Sequence, residues 1–167
     1  MFTNIFVTVG TTDFNTLIEA IDSEEFLNLI VRKGCKRLVI QIGRGELEPS
    51  YLPEVCSSVD IELEVFRFKP ALTADMQGAD LVICHAGAGS ITEALSLQKQ
   101  VMVVVNNSLM DNHQSELAHA VVAKGYCFST QPEQLLSDLL VADFSSTTVY
   151  PPVDYSAFPK VIDELFA

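Results

Sequence analysis

Short runs of apolar, mostly β-branched residues recur along the chain, each followed by a stretch whose apolar positions fall at helical spacing. The run NIFVTV reads as a strand; Phe14, Leu17, Ile18 and Ile21 then repeat on one face of a helix. Ser23 is placed to start a second helix carrying Phe26, Leu27, Ile30 and Val31. RLVIQI and ELEVFRF read as strands, residues 71–78 as a short helix, and DLVIC and VMVVV as a fourth and fifth strand. The last two are continuous apolar runs, the pattern of parallel strands buried on both faces. A helix is predicted from Asn112 to Lys124, closed by Gly125 as its C-terminal cap. YCFST supplies a sixth strand, and Pro132 begins a helix with Leu135, Leu136, Leu139 and Leu140.

Strand and helix in regular alternation predict an α/β fold: a doubly wound, Rossmann-like parallel sheet of about six strands with helices on both faces. Residues 1–167 form one domain in this reading. Ligands of such sheets sit outside the carboxyl ends of the strands. The loops predicted there are VGTTD, IGRGE, HAGAGS and NNSLMDNHQ, all rich in small or hydrogen-bonding residues. At the far end, Phe158, Val161, Ile162, Leu165 and Phe166 make a stripe on an amphipathic helix over residues 155–166. That helix either packs on its own sheet or docks a partner.

Composition narrows the function classes. With 167 residues, 49% of them hydrophobic, the chain can bury a core without staples. No apolar run reaches transmembrane length, and MFTNIFVTVG lacks the basic start and cleavage site of a signal peptide. A cytoplasmic chain with no direct membrane insertion is expected. The net charge of −12 makes nucleic acid a poor partner and an anionic membrane surface a repulsive one. Cys35, Cys56, Cys84 and Cys127 lack zinc or redox spacing and read as reduced, buried thiols. No metal-ligand pattern, cofactor fingerprint or nucleophile–base pair stands out.

The loops carry the candidate chemistry. In HAGAGSITE, Gly87 and Gly89 allow close approach of the backbone to a ligand. Ala88, Ser90 and the neighbouring amides at a helix start suit a diphosphate, with His85 as a further donor. The same letters allow a ligand-free account, because Ser90 and Glu93 spell a capping box. Asn112, His113 and Gln114 gather donors and acceptors suited to sugar hydroxyls, although Asp111 and Gln114 also match a capping box. Thr11 and Thr12 can bond an anion or cap the first helix. Arg44 either offsets diphosphate charge or is simply solvated.

Together FVTVGTT, LVIQIGRGE, ADLVICHAGAGS, DNHQSELA and the late YPP resemble the nucleotide-sugar half of a GT-B glycosyltransferase. The resemblance is greatest to the small cytosolic subunits of a eukaryotic two-chain transferase. That enzyme adds the second N-acetylglucosamine to dolichyl-diphosphate-N-acetylglucosamine during lipid-linked oligosaccharide assembly for N-glycosylation. It runs from residue 5 to 152. It implies UDP-N-acetylglucosamine as donor, with His85 and the amides of Gly87, Ala88, Gly89 and Ser90 on the diphosphate. Glu93 would take the ribose hydroxyls, and Asn112, His113 and Gln114 the N-acetylglucosamine. Thr11, Thr12 and Arg44 would line the cleft. The chemistry implied is inverting and metal-independent. The acceptor half is missing, so the resemblance also implies a membrane-anchored partner chain that holds the acceptor and the catalytic base. That partner would recruit this chain to the cytosolic face of the endoplasmic reticulum, and the chain alone would be inactive. The alternative in another class is a non-catalytic sugar-nucleotide-binding module.

Overall fold

The computed structural model describes residues 1–106 and 112–152, the side chains of 112–116 excepted. Its centre is one sheet of six strands: β1 (Asn4–Thr8), β2 (Arg37–Gln41), β3 (Glu62–Phe66), β4 (Leu81–His85), β5 (Gln100–Val104) and β6 (Phe128–Thr130). Their order is β3-β2-β1-β4-β5-β6, and every neighbouring pair is parallel. This is the doubly wound sheet expected from the alternating pattern. Seven α-helices are described: α1 (Asn15–Ile21), α2 (Glu24–Arg32), α3 (Tyr51–Val55), α4 (Thr73–Gly78), α5 (Ala88–Ser96), α6 (Asn112–Ala123) and α7 (Leu135–Val141).

The period-two alternation of strand side chains divides the core between the two faces. Ile5, Val7, Leu38, Ile40, Leu81, Ile83, Met102 and Val104 pack with α1, α2 and α7. Phe6, Val39, Val82, Cys84, Val101 and Val103 pack with α5 and α6 on the other side. The central strands are apolar on both faces because both faces are covered. All four cysteines are free and buried. Burial pushes the Cys35 thiol up to about 12 and that of Cys127 up to about 11, which keeps both protonated and unreactive. Among the described residues no helix is long and apolar enough to cross a membrane.

Local signals place most helix ends. Ser23 accepts a hydrogen bond from the Phe26 amide at 3.3 Å, and Glu24 and Glu25 follow in the first turn, where they complement the helix dipole. Gly125, at φ +73°, ends α6; its amide reaches Val122 O and that of Tyr126 reaches Val121 O. Val31 departs from the expected stripe: it is 40% exposed, because it falls past the edge of the arc formed by Phe26, Leu27, Leu29 and Ile30. Pro132 opens a 3-10 turn (Pro132–Gln134) before α7 begins, and Leu140 points outward. α3 was not expected. The Asp22 carboxylate makes it possible by accepting the amides of Ser50, Tyr51 and Leu52 at 2.7, 3.1 and 2.9 Å. A cap contributed from another helix end leaves no local pattern. The expected stripe from Phe158 to Phe166 lies outside the described residues.

Candidate functional site

The chain runs outward from β1 to β3 on one side of the sheet, then from β4 to β6 on the other. The break between β1 and β4 is therefore the switch point where such folds place ligands. Gly10 follows β1, Gly87 follows β4, and the His85 imidazole lies between them. A Cβ on Gly87 would stand 2.2 Å from His85 Nε2, and one on Gly10 would stand 2.5 Å from its Cε1. The ring occupies the side-chain space of both glycines. Among the described residues, nothing beyond its own helix and chain neighbours lies within 4 Å of a Cβ placed on Gly89, so no described packing requires glycine there.

His85 Nδ1 is buried and has no hydrogen-bond partner among the described residues. Burial lowers the imidazole below its ordinary value of 6.5; the Thr8 backbone opposes this without reaching hydrogen-bond geometry at Nδ1. The ring is consequently neutral at pH 7 and offers one N–H and one lone pair.

α5 begins earlier than the capping box required. Gly87 is the N-cap, no side chain caps the helix, and Ser90 is its third residue. The first intrahelical bond runs from Ile91 N to Gly87 O at 3.1 Å. The amides of Ala88, Gly89 and Ser90 precede it and have no intrahelical acceptor. The Ser90–Glu93 box is thus corrected: both residues lie inside the helix, one turn too late to cap it. Glu93 instead accepts a hydrogen bond from Thr73 Oγ1 at the start of α4, at 2.5 Å. Ala88 and Gly89 are exposed, while Ser90 and Glu93 are half-buried.

The neighbouring rim is tied by polar groups. Gln41, 2% exposed at the end of β2, donates from Nε2 to Gly10 O at 2.7 Å and to Arg67 O at 3.1 Å. Its Oε1 accepts from Thr8 Oγ1, which also accepts the Gly10 amide at 3.0 Å. Arg67 donates onward to Gly45 O at 2.7 Å and pairs with Glu48. Gly43, at φ +61°, packs so close that a Cβ would lie 2.6 Å from Thr12 O. The Arg44 amide bonds that same oxygen at 3.1 Å, while the Arg44 side chain is exposed. Thr12 Oγ1 donates to Val9 O at 2.8 Å, and Thr11 is exposed; neither hydroxyl caps α1.

The structure therefore gathers His85, Gly87, Ala88, Gly89, Ser90 and Glu93 on one side of the switch point, with Thr11, Thr12 and Arg44 on the opposing loops. Asn112, His113 and Gln114 open α6, which packs beside α5, but their side chains lie outside the described residues, as does Asp111. Among the described residues no three His, Cys, Asp or Glu side chains gather as a metal site. The sequence reading missed Thr8, Gln41, Arg67 and Thr73. For Thr8 and Gln41 a signal existed: a polar residue closing an otherwise apolar strand at its carboxyl end.

The model for the glycosyltransferase family 28 C-terminal domain matches residues 4–165. A human protein named UDP-N-acetylglucosamine transferase subunit ALG13 is 46% identical over 124 residues, covering 74% of this chain but 11% of its own length. The protein of that name from Saccharomyces cerevisiae is 30% identical over 190 residues, covering 96% of this chain and 94% of its own. The chain thus spans nearly all of the yeast relative and only 11% and 10% of the human and mouse ones. An NMR solution structure of ALG13 superposes with a TM-score of 0.68 at 27% identity, covering 95% of this chain and 94% of that one. The crystal structure of MurG from Acinetobacter baumannii superposes with a TM-score of 0.55 at 17% identity, covering 96% of this chain and 41% of that one, a likeness of fold alone.

Proposed function

This chain belongs to the glycosyltransferase family 28 C-terminal domains, and from that membership we propose that it is the donor-binding subunit of an N-acetylglucosaminyltransferase. It binds UDP-N-acetylglucosamine at the β1–β4 switch point. The observation that carries the reading is the uncapped start of α5, whose first three amides have no intrahelical acceptor and stand beside a neutral His85 where the strand order reverses. Amides and helix dipole supply positive character to a diphosphate without a cation, which suits a chain of net charge −12. His85 donates to a phosphate oxygen, Glu93 accepts the ribose hydroxyls, and Asn112, His113 and Gln114 read the sugar. Thr11, Thr12 and Arg44 border the cleft.

In the reaction the acceptor hydroxyl attacks the anomeric carbon from the face opposite the diphosphate. The bond from that carbon to the diphosphate breaks, and UDP leaves with the electron pair. Charge developing on the leaving phosphate is stabilised by the amides of Ala88 to Ser90, which are already oriented. The hydroxyl proton passes to a base on a second, membrane-anchored chain that holds dolichyl-diphosphate-N-acetylglucosamine. The word "subunit" in the relatives' name supports a partner. That partner brings the chain to the cytosolic face of the endoplasmic reticulum, with residues 155–166 helping to dock it.

The test is turnover of the lipid acceptor by the chain alone, by the partner alone and by both together, beside a titration with UDP-N-acetylglucosamine. Activity only in the mixture, with donor binding on this chain, is expected. Donor binding without turnover in any mixture would favour the non-catalytic module. Full turnover by the isolated chain would overturn the half-enzyme reading.

A further inference from the structure

We infer that Thr73 is a positioning residue for nucleoside recognition: it holds the Glu93 carboxylate in the orientation that receives a ribose diol. The inference rests on the donor reading of the site and extends it to a residue on a different helix.

The argument starts from the hydrogen bond between Thr73 Oγ1 and Glu93 Oε1, which joins the first residue of α4 to the second turn of α5. A threonine at a helix start ordinarily serves its own helix, yet no side chain caps α4. The hydroxyl is directed across to a neighbouring helix instead. Its own position is fixed from below, because Lys69 ties the same helix down through Asp75 at 2.8 Å, bonds Glu64 at 2.8 Å and sits 4.0 Å from the centre of the Phe66 ring. Thr73 therefore stands on an anchored element, whereas Glu93 is half-buried on a long side chain with several rotatable bonds.

Freezing such a side chain on ligand binding costs free energy unless it is already ordered. The Thr73 bond orders it in advance. It occupies one lone pair of Oε1 and leaves the other lone pair and the whole of Oε2 to accept. Two adjacent hydroxyls are the group that two acceptor oxygens of one carboxylate can grip together, so the orientation favours a ribose over a sugar lacking those hydroxyls.

The test is a set of NMR titrations of the full chain with UDP and with 2′,3′-dideoxy-UDP, applied to the parent, Thr73→Val, Thr73→Ser and Glu93→Gln, beside melting curves. The parent should prefer UDP. Thr73→Val should lose about five- to tenfold of UDP affinity and nothing for the dideoxy analogue, by removing the pre-ordering, and Thr73→Ser should restore the preference. A purely structural Thr73 would weaken both ligands alike or neither, and would move the melting curve. If Thr73→Val keeps the parent's preference, the positioning role is overturned while the donor site stands. If the parent binds both nucleotides equally, the ribose assignment of Glu93 falls and takes this inference with it; if the parent binds neither, the donor reading itself fails. Should Thr73→Val not fold, Thr73→Ala answers the same question.

Discussion

The carboxyl ends of β1, β2 and β3 are tied together by their own polar groups, whereas the turn from β4 into α5 is held by shape. On the first side Gln41, Thr8 and Arg67 satisfy one another and the Gly10, Gly43 and Gly45 carbonyls. On the second side His85 wedges against two glycines, its Nδ1 has no partner among the described residues, and the amides of the first turn of α5 have no intrahelical acceptor. Both rims are rich in glycine and hydrogen-bonding residues, so composition alone does not separate them. A satisfied buried network contributes stability, because removing one member strands the others. An unsatisfied set of donors contributes affinity, because a ligand can satisfy it. In the proposed reading one rim is a wall and the other a receptor.

The sharpest way to break this comparison is Gly87→Ala. The backbone there, at φ −78°, accepts alanine, so the effect comes only from the ring that the new Cβ would strike. Displacing His85 should weaken donor binding about 100-fold, equivalent to roughly 2.7 kcal/mol. A double-mutant cycle decides whether the ring is responsible: in a His85→Ala background the added Gly87→Ala should cost little. Additive losses would show that the loop does not work through His85.

On the wall side, Gln41→Leu keeps the volume and strands Thr8 Oγ1, Gly10 O and Arg67 O. It should lower unfolding free energy by roughly 2–4 kcal/mol in urea, with a much smaller effect on donor affinity per unit of folded protein. Donor binding lost at full stability would mean that the wall itself makes ligand contacts.

pH separates the two kinds of effect. His85 is held below its ordinary 6.5 by burial, so the unfolded chain binds the proton more readily than the folded one. Its contribution to stability is complete above 6.5 and is lost as the pH falls below 6.5 toward the folded value. In the proposed reading a bound diphosphate raises the same imidazole, so donor affinity should rise over the range in which stability falls. Melting curves and titrations at pH 7.5 and 5.5 check the opposing slopes, and His85→Asn should flatten both. Parallel slopes would separate His85 from the ligand.

How much of this could be read in the letters depends on how far apart the partners lie. The sheet was legible because its signal is local: Val101 to Val104 are buried whatever their neighbours, and Ser23 and Gly125 mark helix ends within one turn. The α5 turn was half legible. HAGAGS announced a helix start, but whether that start was Ser90 or Gly87 depended on His85 filling the space beside Gly87 and on Thr73 engaging Glu93, which lies 20 residues away. Asp22 capping α3 and Gln41 bridging three strand ends are likewise contacts across the fold. Capping patterns presume the nearest partner wins; for Glu93 a hydroxyl from another helix does.

The smallest expected effect tests the boundary between wall and receptor, which passes between two adjacent threonines. Thr12 gives its hydroxyl to Val9 O, within the turn that also receives the Thr12 amide at 3.3 Å. Thr11 is exposed, and among the described residues its hydroxyl has no hydrogen bond. Valine preserves the shape of either side chain and removes only the hydrogen-bonding group. Thr12→Val should cost about 0.5–1.5 kcal/mol of stability and leave donor affinity per folded molecule near that of the parent. Thr11→Val should leave the melting curve within about 0.5 kcal/mol of the parent, as an exposed substitution does, and weaken the donor by about threefold. The ratio of the two effects is the informative quantity, since a general loosening of the loop would move both variants together. If Thr11→Val binds the donor like the parent, the whole β1 loop belongs to the wall, and the receptor is confined to His85, α5 and the start of α6.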